Sequence, residues 1–278
     1  RNCHADRFGG QRGRCHETAE IVAARAALHM WEEPCISGDA GSGAVFFSGC
    51  SMGCIFCQNH NIAEAKAGKI ITIERLSQIF LELQGEGAAN INLVTPTHYV
   101  PQIIGALEMA RKAGLALPVV YNTSGYEKPE TIQMLDGYVD VYLPDFKYSD
   151  NALAKKLSSA PDYFETASAA ILEMYRQVGK PVLEDDEMKR GVLVRHLVLP
   201  GCVDNSLGVL DWVAEHFRSG DILFSLMRQY VPMGRAAEMP PFDRRITELE
   251  YDSVLSYMML LGIEDGYTQD FSSAERGS

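Results

Sequence analysis

The sequence predicts an α/β fold in which six strand–helix repeats form a partial, open (β/α)6 barrel. Short apolar runs rich in β-branched residues alternate along the chain with longer amphipathic stretches. This is the pattern of parallel strands joined by right-handed helical crossovers. The 278 residues, 46% of them hydrophobic, also suffice for one large core. A complete eight-unit barrel would need two more strands than the pattern provides.

The predicted elements follow one another in a regular order. Each predicted strand is a short apolar run, as expected for a strand buried on both faces of a parallel sheet. In chain order the strands span residues 44–48, 90–94, 117–121, 139–143, 192–199 and 222–227. Thr72 can cap the first long helix, and Gly85 and Gly87 can end it. The predicted helices span residues 72–84, 99–113, 129–135, 150–178, 206–217 and 248–261.

The remaining segments are interpreted as extensions and loops around one core. We expect the core to span residues 41–263, after a cysteine-containing N-terminal extension at 1–40 that looks truncated. Residues 264–278 are expected to form a tail, of which 272–278 would fray. The mixed-charge segment 184–190 is interpreted as a solvated loop.

Composition argues against several classes of function. The net charge of −12 argues against a nucleic-acid-binding face, which needs basic residues. No apolar run reaches about 18 residues and the start is unlike a signal sequence, so neither a membrane span nor export is indicated. Seven cysteines, an odd number at low density, favour a reducing compartment, and we expect a cytoplasmic protein.

Three cysteines, Cys50, Cys54 and Cys57, form a compact CxxxCxxC motif. Structural zinc sites usually have four donors in two knuckles, and ferredoxin motifs bring a fourth cysteine. Three thiolates can instead hold three irons of a [4Fe–4S] cluster and leave the fourth iron open for a small molecule. A zinc knuckle and three buried free cysteines are the alternatives.

With Phe56 at its aromatic position, this motif resembles the CxxxCxΦC signature of the radical S-adenosylmethionine (SAM) superfamily. The resemblance implies a TIM-like partial barrel, a [4Fe–4S] cluster and SAM. In that family the cluster reduces SAM to a 5′-deoxyadenosyl radical, which abstracts a hydrogen atom. The three cysteines would be the metal ligands and the catalytic residues. Phe56 would shield the cluster, and Asn59 would contact SAM.

The next candidate site residues follow the predicted strands, because functional residues in such barrels lie at the carboxyl ends of the strands. After the second strand, residues 95–98 stand where many radical SAM enzymes have a Gly-Gly-Glu that grips the SAM amino group. The hydroxyls of Thr95 and Thr97 can accept hydrogen bonds from an ammonium group instead. His98 is either a hydrogen-bonded loop histidine or a functional base or donor.

The third and fourth strands end in polar motifs. Asn122 and Ser124 lie in a segment that resembles the Thr-Asn-Gly stretch of glycyl-radical-enzyme activating enzymes, where polar groups approach the SAM ribose and carboxylate. Asp145 and Lys147 resemble their Asp-x-Lys motif, in which the lysine reaches the SAM carboxylate. An ordinary turn and a surface ion pair are the alternatives.

The fifth and sixth strands carry three further candidates for cofactor binding. Segment 194–201 resembles the Val-Arg-x-x-Val-x-Pro-Gly motif of the activating enzymes, so Arg195 would line the cavity and Val198 would pack on adenine. Strand alternation puts these two side chains on opposite faces unless a bulge intervenes. Tyr230 matches the tyrosine of a Tyr-His pair, but valine replaces the histidine.

The motifs together are most similar to those of the less characterised relatives of pyruvate formate-lyase activating enzyme. That resemblance implies an oxidoreductase that abstracts hydrogen from a glycine of a partner glycyl radical enzyme, with flavodoxin or ferredoxin as electron donor. One alternative is a radical SAM enzyme acting on a small molecule, a peptide or RNA. Another is a non-catalytic iron–sulfur redox sensor or binding module. Cys3 and Cys15 are either ligands of a second metal site or ordinary thiols.

Overall fold

The computed structural model describes residues 3–269, in which ten strands form one mostly parallel sheet. The strands are β1 (Ile21–His29), β2 (Ser42–Phe47), β3 (Lys69–Ile71), β4 (Ile91–Val94), β5 (Val119–Thr123), β6 (Val141–Pro144), β7 (Val182–Glu184), β8 (Glu187–Leu197), β9 (Leu223–Met227) and β10 (Gly266–Thr268). The helices are α1 (Pro34–Ser37), α2 (His60–Ala63), α3 (Ile73–Gly85), α4 (Val100–Lys112), α5 (Pro129–Gln133), α6 (Asn151–Ser158), α7 (Tyr163–Val178), α8 (Val203–His216) and α9 (Glu248–Leu260).

Six parallel strands form the centre of the sheet in the order β2, β4, β5, β6, β8 and β9. They are the six predicted strands, with ends shifted by a few residues. Over the described residues the sheet stays open, with β3 at one edge and β10 at the other. The predicted α/β partial barrel is therefore confirmed. Thr72 caps α3 as expected, because its hydroxyl accepts a hydrogen bond from the N–H of Arg75.

The core sheet extends beyond the predicted range at both ends. β1 pairs antiparallel with β2, and β3 pairs with β1, so residues 21–29 belong to the sheet rather than to a separate extension. β1 reads IVAARAALH, and its alanines have weak strand propensity, so only pairing with β2 makes it a strand. β10 lies inside the predicted tail and pairs with β9. The fraying expected for 272–278 falls outside the described residues.

Two local predictions were wrong. Segment 184–190 is part of a hairpin between β7 and β8, not a solvated loop. Its two-residue turn uses Asp185 and Asp186 at φ of 50° and 64°, a left-handed conformation that aspartate tolerates and that matches strand twist. The helix predicted for 150–178 is two helices, α6 and α7. The chain breaks between them at Ser159, which has a φ of 51°, shortly before Pro161.

The amino end of the barrel is closed by α1. Cys35 and Ile36 are fully buried against inward-facing residues of the parallel strands, among them Val120, Val141 and Leu193. The side-chain amide of Asn90, just before β4, donates a 2.7 Å hydrogen bond to the carbonyl of Ile36. Because the strands begin at this end, α1 blocks entry from it and leaves the carboxyl ends as the mouth.

Every helix within residues 3–269 is too short or too polar to cross a lipid bilayer.

Acid should destabilise the fold through His196. Its side chain is fully buried, its Nδ1–H donates to the carbonyl of Phe146 at 2.6 Å, and Nε2 lies 2.8 Å from the Ser206 hydroxyl. Burial lowers the pKa of His196 to about 4, below its ordinary 6.5. The unfolded chain therefore binds the proton more readily. The stabilisation is complete above pH 6.5 and is lost as the pH falls from 6.5 toward 4.

We expect the free energy of unfolding of the apoprotein in urea to drop by about 2 kcal/mol between pH 7 and pH 5 because of this histidine. In His196→Asn the amide can keep the bond to Phe146 without titrating, so the drop should shrink. An unchanged pH dependence in the variant would contradict the assignment.

Candidate functional site

The three cysteines lie in one loop at the carboxyl end of β2. We call residues 48–59, between β2 and α2, the cysteine loop. All three thiols are free and half-buried. The loop is held from both sides, since Gly49 N–H donates to the carbonyl of Ile62 at 2.8 Å and Ile55 N–H donates to that of Leu157 at 2.9 Å. The cysteines are thus presented at the mouth of the barrel.

Phe56 packs under this loop. Its ring is buried and lies 5.7 Å from the ring of Tyr230. The hydroxyl of Tyr230 donates to the carbonyl of Phe242 at 2.7 Å, which fixes the ring that Phe56 contacts. These two predicted residues therefore meet, and the aromatic pair supports the loop from the side of β9 and the segment after it.

A chain of hydroxyl groups leads to Cys54. Ser158 Oγ, at the end of α6, donates to Cys54 Sγ at 3.0 Å. Because the single proton of Ser158 is used there, the hydroxyl of Tyr148, 2.7 Å away, donates to Ser158 in turn. Neither Ser158 nor Tyr148 was predicted as a site residue from the sequence. Ser158 lies within the helix predicted for 150–178, and Tyr148 follows the Asp-x-Lys motif without being part of it.

The thiols fit a metal cluster by their chemistry. Burial raises the pKa of Cys54 to about 12 and also raises the pKa of Cys57. Each buried sulfur therefore keeps a proton unless a metal ion takes its place. Within the described residues, no three His, Cys, Asp or Glu side chains converge on a single ion. A [4Fe–4S] cluster binds each thiolate to a different iron, so it needs no such convergence.

A charged network lies next to the cysteine loop on the inner face of the barrel. Lys147 Nζ contacts Asp145 Oδ2 at 2.5 Å, and Arg195 Nε donates to Asp145 Oδ1 at 2.9 Å. Burial alone would raise the pKa of Asp145, but Arg195 and Lys147 outweigh it and lower that pKa. Burial would lower the pKa of Lys147, but the carboxylate of Asp145 outweighs it and raises that pKa. Both charges therefore persist near neutral pH.

Arg195 also binds two residues from other elements. Its Nη1 contacts Glu32 Oε2 at 2.9 Å, and its Nη2 donates to Asn122 Oδ1 at 2.8 Å. Asn122 in turn donates to Glu32 Oε1 at 3.0 Å. The predicted residues Asn122, Asp145, Lys147 and Arg195 are thus brought together by direct contacts.

Glu32 and its neighbour Glu33 were missed by the sequence analysis. They precede α1, and an acidic pair before a proline resembles an ordinary exposed helix start. Their side chains are only 9% and 8% exposed, however, and both face Arg195. Glu33 Oε2 has no hydrogen-bond partner among the described residues, and burial raises the pKa of Glu33. The residues just before α1, the helix that closes the amino end of the barrel, therefore also provide the negative charge that faces Arg195.

The loop after β4 is strained and tied to the next loop. Thr95 adopts a φ of 59°, which is unfavourable for a β-branched residue. Thr97 donates its hydroxyl proton to Glu127 Oε1 at 2.6 Å, and Thr123 does the same. Glu127 is fully buried and also accepts from Tyr121. The lone pairs of the Thr97 hydroxyl remain able to accept a hydrogen bond.

His98 is a hydrogen-bonded loop histidine in the structure. Its Nε2–H donates to the carbonyl of Ser48 at 2.7 Å, at the start of the cysteine loop. Burial lowers the pKa of His98 to about 4, so the ring is neutral near pH 7.

The other predicted residues are spread around the mouth. Asn59 is exposed at the start of α2, and its backbone N–H points to the thiol of Cys57. The carbonyl of Ser124 accepts a 2.8 Å hydrogen bond from Tyr163. Val198 is fully buried in the cluster that also holds Val194, whereas Arg195 is on the inner face. Strand alternation without a bulge explains this separation.

Comparison with known proteins identifies a family for the core. A family model described as Radical SAM superfamily matches residues 44–213, more than half of the chain. An uncharacterised protein of Methanocaldococcus jannaschii is 29% identical, and the match covers 88% of this chain and 69% of that protein.

Solved structures share the fold. Methylornithine synthase is 15% identical with a TM-score of 0.52, over 79% of this chain and 68% of that one. HydG, a maturase of the [FeFe]-hydrogenase, is 11% identical with a TM-score of 0.56, and the match covers 81% of this chain and 51% of that one. SuiB of Streptococcus suis, solved with S-adenosylmethionine bound, is 13% identical with a TM-score of 0.50, and the match covers 80% of this chain and 48% of that one.

Removal of Glu32 should strongly destabilise the protein. Glu32→Ala leaves the buried guanidinium of Arg195 short of a counter-charge and the amide of Asn122 without its acceptor. We expect a loss of about 2–4 kcal/mol in the free energy of unfolding, measured in urea on the apoprotein. Glu82→Ala is the matched control, because it breaks an exposed ion pair with Arg75 that solvent screens. Equal losses in the two variants would contradict the role given to Glu32.

Proposed function

Because the chain belongs to the radical SAM superfamily, we propose that it cleaves S-adenosylmethionine reductively and abstracts a hydrogen atom from a substrate. The superfamily uses a [4Fe–4S] cluster and SAM. When bound, these cofactors supply the electron and the 5′-deoxyadenosyl radical, and the protein orients them and excludes side reactions. The observation that carries the proposal is the placement of three free thiols beside the buried Asp145–Lys147–Arg195 network.

Cys50, Cys54 and Cys57 are the residues that would hold the cluster. The hydroxyl of Ser158 supports this role, because a donor within 3.0 Å of Cys54 Sγ stabilises a thiolate there. Phe56 and Tyr230 would exclude water from one side of the cluster, since their packed rings lie beneath the loop.

Lys147 is our candidate for binding the SAM carboxylate. Its ammonium group donates one hydrogen bond to Asp145, and its other N–H groups can donate to an anion. Arg195, Asn122 and Asp145 would hold Lys147 in position rather than leave it mobile. Thr95, Thr97, Ser124 and Asn59 are the candidates for the polar remainder of SAM. Val198 is not a candidate for the adenine contact, because its side chain is fully buried in the apolar core.

For the hydrogen donor, the similarity to activating enzymes supports a glycine in a partner glycyl radical enzyme. Flavodoxin or ferredoxin would supply the electron. Free thiols and a reduced cluster suit a reducing compartment, so we propose a cytoplasmic location. A small-molecule substrate is the second candidate. The closure of the amino end by α1 and the filling of the barrel interior by Glu32 and Arg195 favour it, because they leave little depth for a peptide loop.

The cysteine motif can be tested by turnover. After anaerobic reconstitution with iron and sulfide and reduction with dithionite, the wild-type protein should form 5′-deoxyadenosine from SAM. Cys54→Ala should abolish this product and leave the fold intact, because the residue lies in a loop. Cys202→Ala, a half-buried cysteine outside the motif, is the control and should retain activity. Unchanged product in Cys54→Ala would rule out the assignment, and a loaded cluster without SAM cleavage would favour a redox sensor.

The class of hydrogen donor can be tested with deuterium. Extracts of cells grown in heavy water can be separated by size and offered to the reconstituted protein, with 5′-deoxyadenosine analysed by mass spectrometry. A glycine in a partner protein predicts deuterium transfer from the macromolecular fraction. Transfer from the small-molecule fraction alone would favour the second candidate.

A further inference from the structure

An N-terminal segment lies directly against the cysteine loop. We call residues 3–19 the strap. A Cβ atom at Gly49, beside Cys50, would lie 2.4 Å from the carbonyl oxygen of Cys15 and 2.7 Å from a side-chain carbon of Glu17. Gly49 also has a φ of 88°, which other residues rarely adopt. The close approach shows that the strap and the cysteine loop pack backbone to backbone.

Arg7 anchors the strap to the barrel. Its guanidinium donates to the carbonyls of Glu17 and Thr18 within the strap, and to the carbonyl of His98 after β4. It also lies 5.4 Å from the ring centre of Tyr99. One end of the strap is therefore attached to a loop at the carboxyl ends of the strands, independently of the cysteines.

Arg14 connects the strap to both sides of Cys54. Its Nε donates to the carbonyl of Ser51 at 2.7 Å, inside the cysteine loop between Cys50 and Cys54. Its Nη2 donates to the carbonyl of Ser159 at 2.7 Å. Ser159 follows Ser158, whose hydroxyl donates to Cys54. A single exposed side chain thus bridges the loop that carries the thiols and the residue that follows Ser158, the hydrogen-bond donor to Cys54.

From these contacts we infer that Arg14 is a positioning residue, which fixes the cysteine loop in the conformation that holds the cluster. The planar guanidinium suits this task because its N–H groups point in fixed directions toward two acceptors. The loop needs such a restraint because glycines at 49 and 53 give it many alternative conformations when it is free. The inference extends the proposed function, since it concerns the same three thiols.

Cluster retention tests this role without measuring turnover. We expect iron to be lost to a ferrous chelator roughly tenfold faster in Arg14→Ala than in the wild type, the ratio that corresponds to about 1.4 kcal/mol of lost restraint. Arg14→Lys, which keeps the charge but cannot form both hydrogen bonds, should be intermediate. Arg12→Ala is the matched control, because Arg12 is also exposed and, among the described residues, its side chain donates to the carbonyl of His16 within the strap.

Alkylation of the apoprotein tests the same role without a cluster. The rate at which iodoacetamide modifies Cys50, Cys54 and Cys57 can be followed by mass spectrometry of their peptide. A loosened loop should raise this rate several-fold in Arg14→Ala but not in Arg12→Ala. A cooperative unfolding transition in urea in both variants shows that the faster alkylation does not come from a globally unfolded protein.

The outcomes separate this inference from the proposed function. Equal iron loss and equal alkylation in Arg14→Ala, Arg12→Ala and the wild type would overturn the role of Arg14. A wild-type protein that loads no cluster would instead count against the proposed function, and the alkylation rates would still decide whether Arg14 restrains the loop.

Discussion

The compensation of one buried cation, Arg195, organises the inside of this barrel. A guanidinium at this depth is costly unless acceptors surround it. Glu32, Asn122 and Asp145 provide them, and each comes from a different part of the chain. The position of α1, the direction of the Asn122 amide and the orientation of Lys147 all follow from this requirement. The polar residues at the mouth are therefore one connected unit.

The cysteine loop depends on a second set of contacts around it. The end of α6 supplies the hydroxyl of Ser158 and a carbonyl for the loop backbone, and the aromatic pair of Phe56 and Tyr230 packs below. The strap covers another side through Arg14. Burial disfavours the thiolate at Cys54 and Cys57, and the groups around the loop stabilise a thiolate at Cys54 or restrain the loop that carries the three thiols. This arrangement suits a site that must bind a metal cluster at one carboxyl end of the sheet.

Several features were predictable because they depend on local patterns. The six parallel strands read as apolar runs, and the Thr72 cap follows from its side chain and neighbours. The cysteine motif could be recognised from the spacing of its three cysteines alone. β1 and the β7–β8 hairpin were not predictable in this way, because alanine-rich or highly charged strands form only when a partner strand satisfies their backbone. The break at Ser159 was hidden by the helical pattern on both sides of it.

The residues of the sequence by themselves determined the open α/β barrel through their periodicity, and their motifs carried the resemblance that pointed to the family and to the candidates at the strand ends. Only the tertiary structure decided which candidates meet. It brought Asn122, Asp145, Lys147 and Arg195 into contact, directed Val198 into the apolar core, and added Glu32, Ser158 and Arg14. The reason is physical. Neighbours that neutralise a buried charge or orient a loop are chosen by distance in space, and separations of 37 to 163 residues along the chain leave no local pattern to read.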